Sequence, residues 1–238
     1  MPVKSKPEAS QGDILFSGPP RRLIAMGEVP DLSGVEFRPG GPLKAHLPER
    51  GHALRLRNNT RRGISSAKLK LSPNTPPGQY KGQLVGKDQS WDALITVQPN
   101  VSVSIAPAEL TFSAQPGKRA LFVATLRNLG NVDVTIPKAA PIGIFDDDGV
   151  ETAFASTYGK KFEDVNDFFS NFIGKLNEAH GGLMKLTLVK GAGAHPPGAT
   201  VLLEIGADIP AEARKGHRYH GVWTTDFANL AVSIFVEK

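Results

Sequence analysis

One block occurs twice in this chain with matched spacing, once in each half. The first copy runs Pro76-Pro77-Gly78-Gln79-Tyr80-Lys81-Gly82 and leads to a closing strand, Trp91 to Val97. The second runs Pro210-Ala211, then Gly216-His217-Arg218-Tyr219-His220-Gly221, and leads to Leu230 to Val236. Tyr80 precedes Val97 by 17 residues, and Tyr219 precedes Val236 by the same 17. A second shared block, Leu56-Arg57-Asn58 and Leu126-Arg127-Asn128, follows a glycine (Gly51, Gly117) and precedes turn-prone residues (Asn59-Thr60, Gly130-Asn131). Two blocks in one order predict two copies of a single module. They meet near Gln98-Pro99-Asn100, which gives a flexible tail over 1–11, one module over 12–98 and a second over 99–238. A linker this short predicts a restricted angle between them.

The module reads as β. Ala53-Leu54-Arg55-Leu56-Arg57 and Ala67-Lys68-Leu69-Lys70-Leu71 alternate strictly, as a sheet with one wet face requires. Val101–Ile105, Leu110–Phe112, Leu121–Leu126, Val132–Ile136, Lys185–Val189 and Val201–Ile205 continue the series. The 25 glycines and 19 prolines supply the turns that many short strands need. In the repeated block, Pro-Gly turns the chain into a strand and the tyrosine buries its ring at a sheet corner, so Tyr80 and Tyr219 read as structural.

The second module is longer, with a helical insertion over about 143–184. Val165, Phe168, Phe169, Phe172, Ile173 and Leu176 recur at helical spacing over Asp164 to His180. Asp164 can cap the start, and Gly181-Gly182 can end the helix. The apolar stripe either packs on its own sandwich or presents Phe168, Phe169 and Phe172 to another chain.

A run in the second module, Ser104-Ile105-Ala106-Pro107-Ala108-Glu109-Leu110-Thr111-Phe112 followed by Pro116-Gly117 and Leu126-Arg127-Asn128-Leu129-Gly130-Asn131, resembles the opening strands of bacterial immunoglobulin-like modules. These are found in surface, secreted and pilus-assembly proteins. Thr75-Pro76-Pro77-Gly78-Gln79-Tyr80-Lys81-Gly82 is similar to their closing half. The resemblance covers about half the chain and implies an all-β fold of two tandem immunoglobulin-like β-sandwiches, the second with an inserted α-helix. It also implies an extracytoplasmic place: periplasmic, cell-surface or secreted. Pilus chaperones pair two such domains in a similar length, but their subunit-anchoring residues find no defined positions here.

The sequence carries no nucleophile elbow, P-loop, dinucleotide fingerprint or HExxH helix, so no enzyme and no cofactor is expected. With no cysteine, thiolate chemistry, disulfides and Cys-based metal sites are removed; that suits the cytoplasm as well as a thiol-free secreted protein. No stretch approaches the roughly 20 apolar residues of a membrane span, and Met1 to Gln11 has no apolar signal-peptide core. His217 and His220, at i and i+3 on a strand, suit a shared metal poorly. Asp146, Asp147 and Asp148, with Glu151 beyond, form a candidate calcium site or, in the simpler reading, an acidic turn between strands.

Charge is uneven. Residues 12–98 carry 13 Lys/Arg against 7 Asp/Glu, whereas residues 99–238 carry 13 against 15. Arg55, Arg57, Lys68 and Lys70 share the outward parity of two strands, with Arg61 and Arg62 in the adjoining loop. If these are the second and fifth strands of a sandwich, they pair and form one basic face: either a solvated surface or a site for an acidic protein, a polyanionic glycan or lipid headgroups. Nucleic acid is not expected, because the strands lack interleaved exposed aromatics and no groove-reading helix accompanies them. Three readings follow. The first is a non-enzymatic binding or assembly protein with an acidic or polyanionic partner. The second is a structural subunit docking through the Phe-rich helix and edge strands. The third is a carbohydrate-binding module with Trp91 or Trp223 as platform.

Overall fold

The computed structural model describes residues 13–26, 34–48, 54–59, 64–162 and 164–237. Arg61, Arg62 and the 1–11 segment lie outside them. The chain divides into two compact units: residues 1–102 with 129–133 and 196–198, and the remainder of 103–238.

Among the described residues, the first unit has seven strands: β1 (Ile14–Gly18), β2 (Leu23–Met26), β3 (Glu36–Pro39), β4 (Leu54–Asn59), β5 (Ile64–Leu69), β6 (Gly78–Val85) and β7 (Ser90–Val97). Their order is β3-β6-β7-β1-β2-β5-β4. β1 runs parallel to β7 on one side and antiparallel to β2 on the other, so the first strand belongs to both layers. One layer is thus β1-β2-β5-β4 and the other β3-β6-β7, the ABED and CFG arrangement of an immunoglobulin-like sandwich. Period-2 alternation places Ile14, Phe16, Leu23, Ala67, Leu69, Leu84, Ala93, Ile95 and Val97 in its core.

The second unit contains β8 (Val103–Ala106), β9 (Glu109–Ala114), β10 (Arg119–Asn128), β11 (Val134–Ile136), β12 (Ala139–Asp146), α1 (Gly149–Tyr158), α2 (Val165–Ala179), β13 (His180–Lys190), β14 (Gly193–His195), β15 (Thr200–Asp208), β16 (Arg218–Thr224) and β17 (Asn229–Val236). Eight strands are ordered β8-β10-β15-β13-β12-β16-β17-β9, and β11 pairs with β14. β9 runs parallel to β17, as β1 does to β7. The long β13 bonds both β12 and β15, which joins the two layers along one side. The chain is therefore all-β, two tandem immunoglobulin-like sandwiches with helices inserted in the second.

The repeated tyrosines sit in matching registers: Tyr80 pairs with Ile95 and Tyr219 with Ile234, 15 positions on in each case. Each ring is tied to nearby backbone. Tyr80 Oη donates to the Pro76 carbonyl at 2.8 Å, and Tyr219 Oη accepts from the Arg214 N–H at 2.9 Å. Burial raises the Tyr80 phenol above its ordinary pKa. The Leu-Arg-Asn match is different. Leu56-Arg57-Asn58 lies in β4, a sheet-edge strand, whereas Leu126-Arg127-Asn128 lies in β10, between β8 and β15. That block is a local coincidence of strand chemistry, not a repeat.

The insertion also departs from expectation. β12 extends to Asp146 and β13 begins at His180, so the helical part is narrower than 143–184 and contains two helices instead of one. Asp164 caps α2, its Oδ1 accepting from the N–H groups of Asn166 at 2.6 Å and Asp167 at 2.9 Å. The helix does not end at Gly181-Gly182. It ends at Ala179, and both glycines lie in β13, where a Cβ on Gly181 would press on the Tyr219 ring.

Candidate interaction surfaces

α1 and α2 form an antiparallel pair, an arm standing between β12 and β13. At its root Gly149 lies against Ala179. Midway, Phe154 meets Phe172 edge-on, with ring centroids 5.0 Å apart. Near the tip, Phe168 takes Tyr158 and Phe162 edge-on at 6.3 Å and 5.6 Å. The stripe of α2 therefore packs against α1, not against its own sandwich, because a second helix that the sequence pattern does not announce covers it.

This splits the three phenylalanines. Phe168 and Phe172 are half-buried against α1, and only Phe169 faces outward. On the outer side, Val150, Phe154 and Tyr158 of α1 and Val165, Phe169 and Ile173 of α2 are between 49% and 76% exposed. These six lie on one side of the arm. In each helix an exposed residue follows a contact residue by one position: Ala153 then Phe154, Thr157 then Tyr158, Phe168 then Phe169, Phe172 then Ile173. One step is a 100° rotation. Two antiparallel helices that face each other carry that rotation to the same side. The result is a continuous apolar ridge.

Two of the arm's charges lie away from the ridge. By helical position Asp167 and Glu178 are on the opposite side of α2, where Lys175 Nζ donates to the Glu178 carboxylate at 2.8 Å and holds its pKa below the usual range.

In the first unit, β4 pairs with β5, so Arg55 is opposite Lys68 and Arg57 opposite Ser66. These are the fourth and fifth strands, a consecutive pair, instead of the second and fifth. Ala67 and Leu69 are buried, so Lys68 between them lies on the face of β5 away from the core. Lys68 is half-buried and Lys70 exposed.

The acidic run leads from a strand into a helix and does not connect two strands, because β12 ends at Asp146 and α1 begins at Gly149. The Asp146 side chain is almost fully buried. Its Oδ2 lies 2.7 Å from His217 Nδ1 and accepts from Arg214 Nη2 at 3.1 Å, while Oδ1 accepts the Asp148 N–H at 3.3 Å. His220 Nε2 lies 3.2 Å from Asp147 Oδ1. The Asp146 and Asp147 carboxylates are thus engaged by protein side chains and a backbone donor, and among the described residues no cluster of three or more His, Asp or Glu could hold a metal. Pairing of β12 with β16 brings these groups together, and with them two features that looked unrelated in the sequence.

Trp223 is core at 2% exposure, and Trp91 packs partly buried against the first core. Trp223 therefore offers no sugar platform, and Trp91 offers at most a partial ring face. Among the described residues, no helix is long and apolar enough to cross a membrane.

The chain matches no protein-family model and no curated protein. Among solved structures it is similar to a titin A168169 substructure, at 10% identity over 96% of this chain and 97% of that one, with a TM-score of 0.33. It is also similar to a protein of unknown function from Porphyromonas gingivalis W83, at 12% identity over 94% and 96% with a TM-score of 0.31. The S-layer protein SbsC, domains 4 and 5, gives 9% identity over 90% and 82% with a TM-score of 0.29. Likeness at this level carries no argument about partner or activity; the strand order above carries the fold.

Proposed function

We propose that this chain is a non-enzymatic binding and assembly module, working outside the cytoplasm, that holds a protein partner through the apolar ridge of its helical arm. The observation that carries the reading is the ridge itself. Six large apolar side chains stay about half or more exposed along two helices, whereas each sandwich closes a core of its own. A contiguous apolar surface of this kind marks an interaction site. The resemblance of the opening and closing blocks to bacterial surface, secreted and pilus-assembly modules supports the extracytoplasmic setting. At the arm root Asp146 is held by Arg214 and His217, and Asp147 lies against His220, which favours a structural use of these groups.

Substituting Phe154, Phe169 and Ile173 together by Ser tests the reading. Losing about 1 kcal/mol or more of burial at each position should weaken partner capture by roughly a hundredfold. Both sandwich transitions should hold, since none of the three side chains belongs to either core. Capture at wild-type strength by this variant would reject the ridge.

A second reading has an acidic protein or polyanionic glycan held by the basic face of the first unit. The register of β4 against β5 supports it, because it sets one basic position, Arg55, opposite another, Lys68. Exposed charge pairs are screened within about 8 Å at physiological ionic strength, so this contact should weaken steeply with salt. Replacing Arg55, Arg57, Lys68 and Lys70 by Ser should abolish it without unfolding the unit. Partner capture that persists in this variant at every ionic strength counts against the basic face.

A further inference from the structure

We infer that the occupant of the ridge is the arm of a second copy of this chain, the two arms pairing antiparallel about a two-fold axis as a four-helix bundle. This rests on the ridge being the engaging surface, as proposed above.

Three observations favour a second copy. The first is shape. Two antiparallel helices with one common apolar side are half of a four-helix bundle, and a two-fold interface needs a patch complementary to itself. Val150-Phe154-Tyr158 and Val165-Phe169-Ile173 each repeat at i, i+4, i+8, so the two stripes match in length and spacing. The second is area. An aromatic side chain buries ~150–250 Å² and Val or Ile less, so three aromatic and three aliphatic side chains about half exposed leave on the order of 500 Å² of apolar surface. Two such faces together cover about 1,000 Å², the size a specific interface has to clear.

The third is charge. The root of α1 carries Asp148 and Glu151, and the tip carries Lys161, all exposed; Lys160 acts instead on Glu178, on the far side of α2. The tip carboxylate Asp164 is held by the N–H groups of its own helix. Antiparallel arms place Lys161 of one copy against the root carboxylates of the other. Parallel arms would set like charges side by side. Asp167 and Glu178 do not oppose the pairing, because they lie on the far side of α2.

The chain has no cysteine, which makes a cross-linking test clean. Asp148 makes no side-chain capping bond, so it tolerates substitution. Full-length Asp148→Cys and Lys161→Cys variants are mixed under mild oxidation, and each is also oxidised alone. Mixed samples should give a covalent dimer in excess of either variant alone. Sedimentation velocity on the wild-type chain should show a dimer at on the order of 10 µM, and Phe169→Ser/Ile173→Ser should return it to monomer by at least a tenfold shift in dissociation constant.

Preferential tip-to-tip cross-links in Lys161→Cys alone would overturn the antiparallel pairing. A dimer unchanged by the ridge variant would overturn the ridge as its seat. A wild-type monomer at every concentration would overturn self-pairing, and the triple Ser variant then separates two cases. If it loses a foreign partner that the wild type holds, the ridge reading stands with a different occupant. If it loses nothing, both fail.

Discussion

Tyr219→Ala is expected to destabilise the second unit by about 4 kcal/mol, the usual cost of removing a large buried aromatic side chain. Its ring is 1% exposed, sits over Gly181, which has no Cβ to occupy the space, and belongs to the second core. The phenol oxygen also accepts the Arg214 N–H, so the truncation leaves that donor without its partner. For a unit of this size the unfolding midpoint should fall by roughly 10–15 °C. The matching change in the first module, Tyr80→Ala, should cost about half as much, because Tyr80 is only half-buried. Scanning calorimetry on the two variants gives the comparison; an equal loss in both would contradict the burial argument.

Asn131→Ala should cost the first unit about 3 kcal/mol. The side chain is 2% exposed and completes three hydrogen bonds. Its Nδ2 donates to the Thr75 carbonyl at 2.9 Å and to the Gln98 carbonyl at 3.0 Å, and its Oδ1 accepts the Asn100 N–H at 2.6 Å. Alanine leaves all three backbone groups unsatisfied, at about 1 kcal/mol each. The preceding Gly130 is held by the same approach, since a Cβ there would strike the Asn100 carbonyl. The two tryptophans fall one in each unit, so a Trp223→Phe background leaves Trp91 fluorescence to report urea unfolding of the first unit alone. A midpoint unmoved by Asn131→Ala would show that these bonds are replaced by water at no cost.

The tyrosine spacing was legible because it is local. Seventeen residues link a strand, a hairpin and the returning strand, and turn chemistry alone sets that register. The opening strands were not legible. Phe16 and Leu23 are core residues, yet β1 finds its partner in β7, nearly eighty residues away, and no local pattern announces a parallel pairing. The Leu-Arg-Asn coincidence misled for the opposite reason: alternating Leu and Arg describe any half-wet strand, at the edge or in the interior of a sheet.

The arm was half legible. The strong stripe of α2 showed itself, with its Asp164 cap. α1 is only ten residues long, starts on a glycine and has no side-chain cap, so its Val150-Phe154-Tyr158 spacing carries little signal in the sequence. Without α1, Phe168 and Phe172 look outward, and the exposed ridge cannot be separated from the helix contact. The Asp146–His217 contact spans 71 residues of sequence, and only the β12–β16 pairing creates it.

Removing the arm puts the whole account to one measurement. Phe145 pairs with His180 across β12 and β13, so a short glycine-containing turn can replace residues 147–179 and close the two strands as a hairpin. None of the residues that form the second core comes from the removed segment. Sedimentation velocity across a concentration series, with calorimetry on the same samples, should show two sandwiches melting at their original midpoints in a chain that no longer associates. Persistent association without the arm, or loss of the second unit's transition, would contradict it.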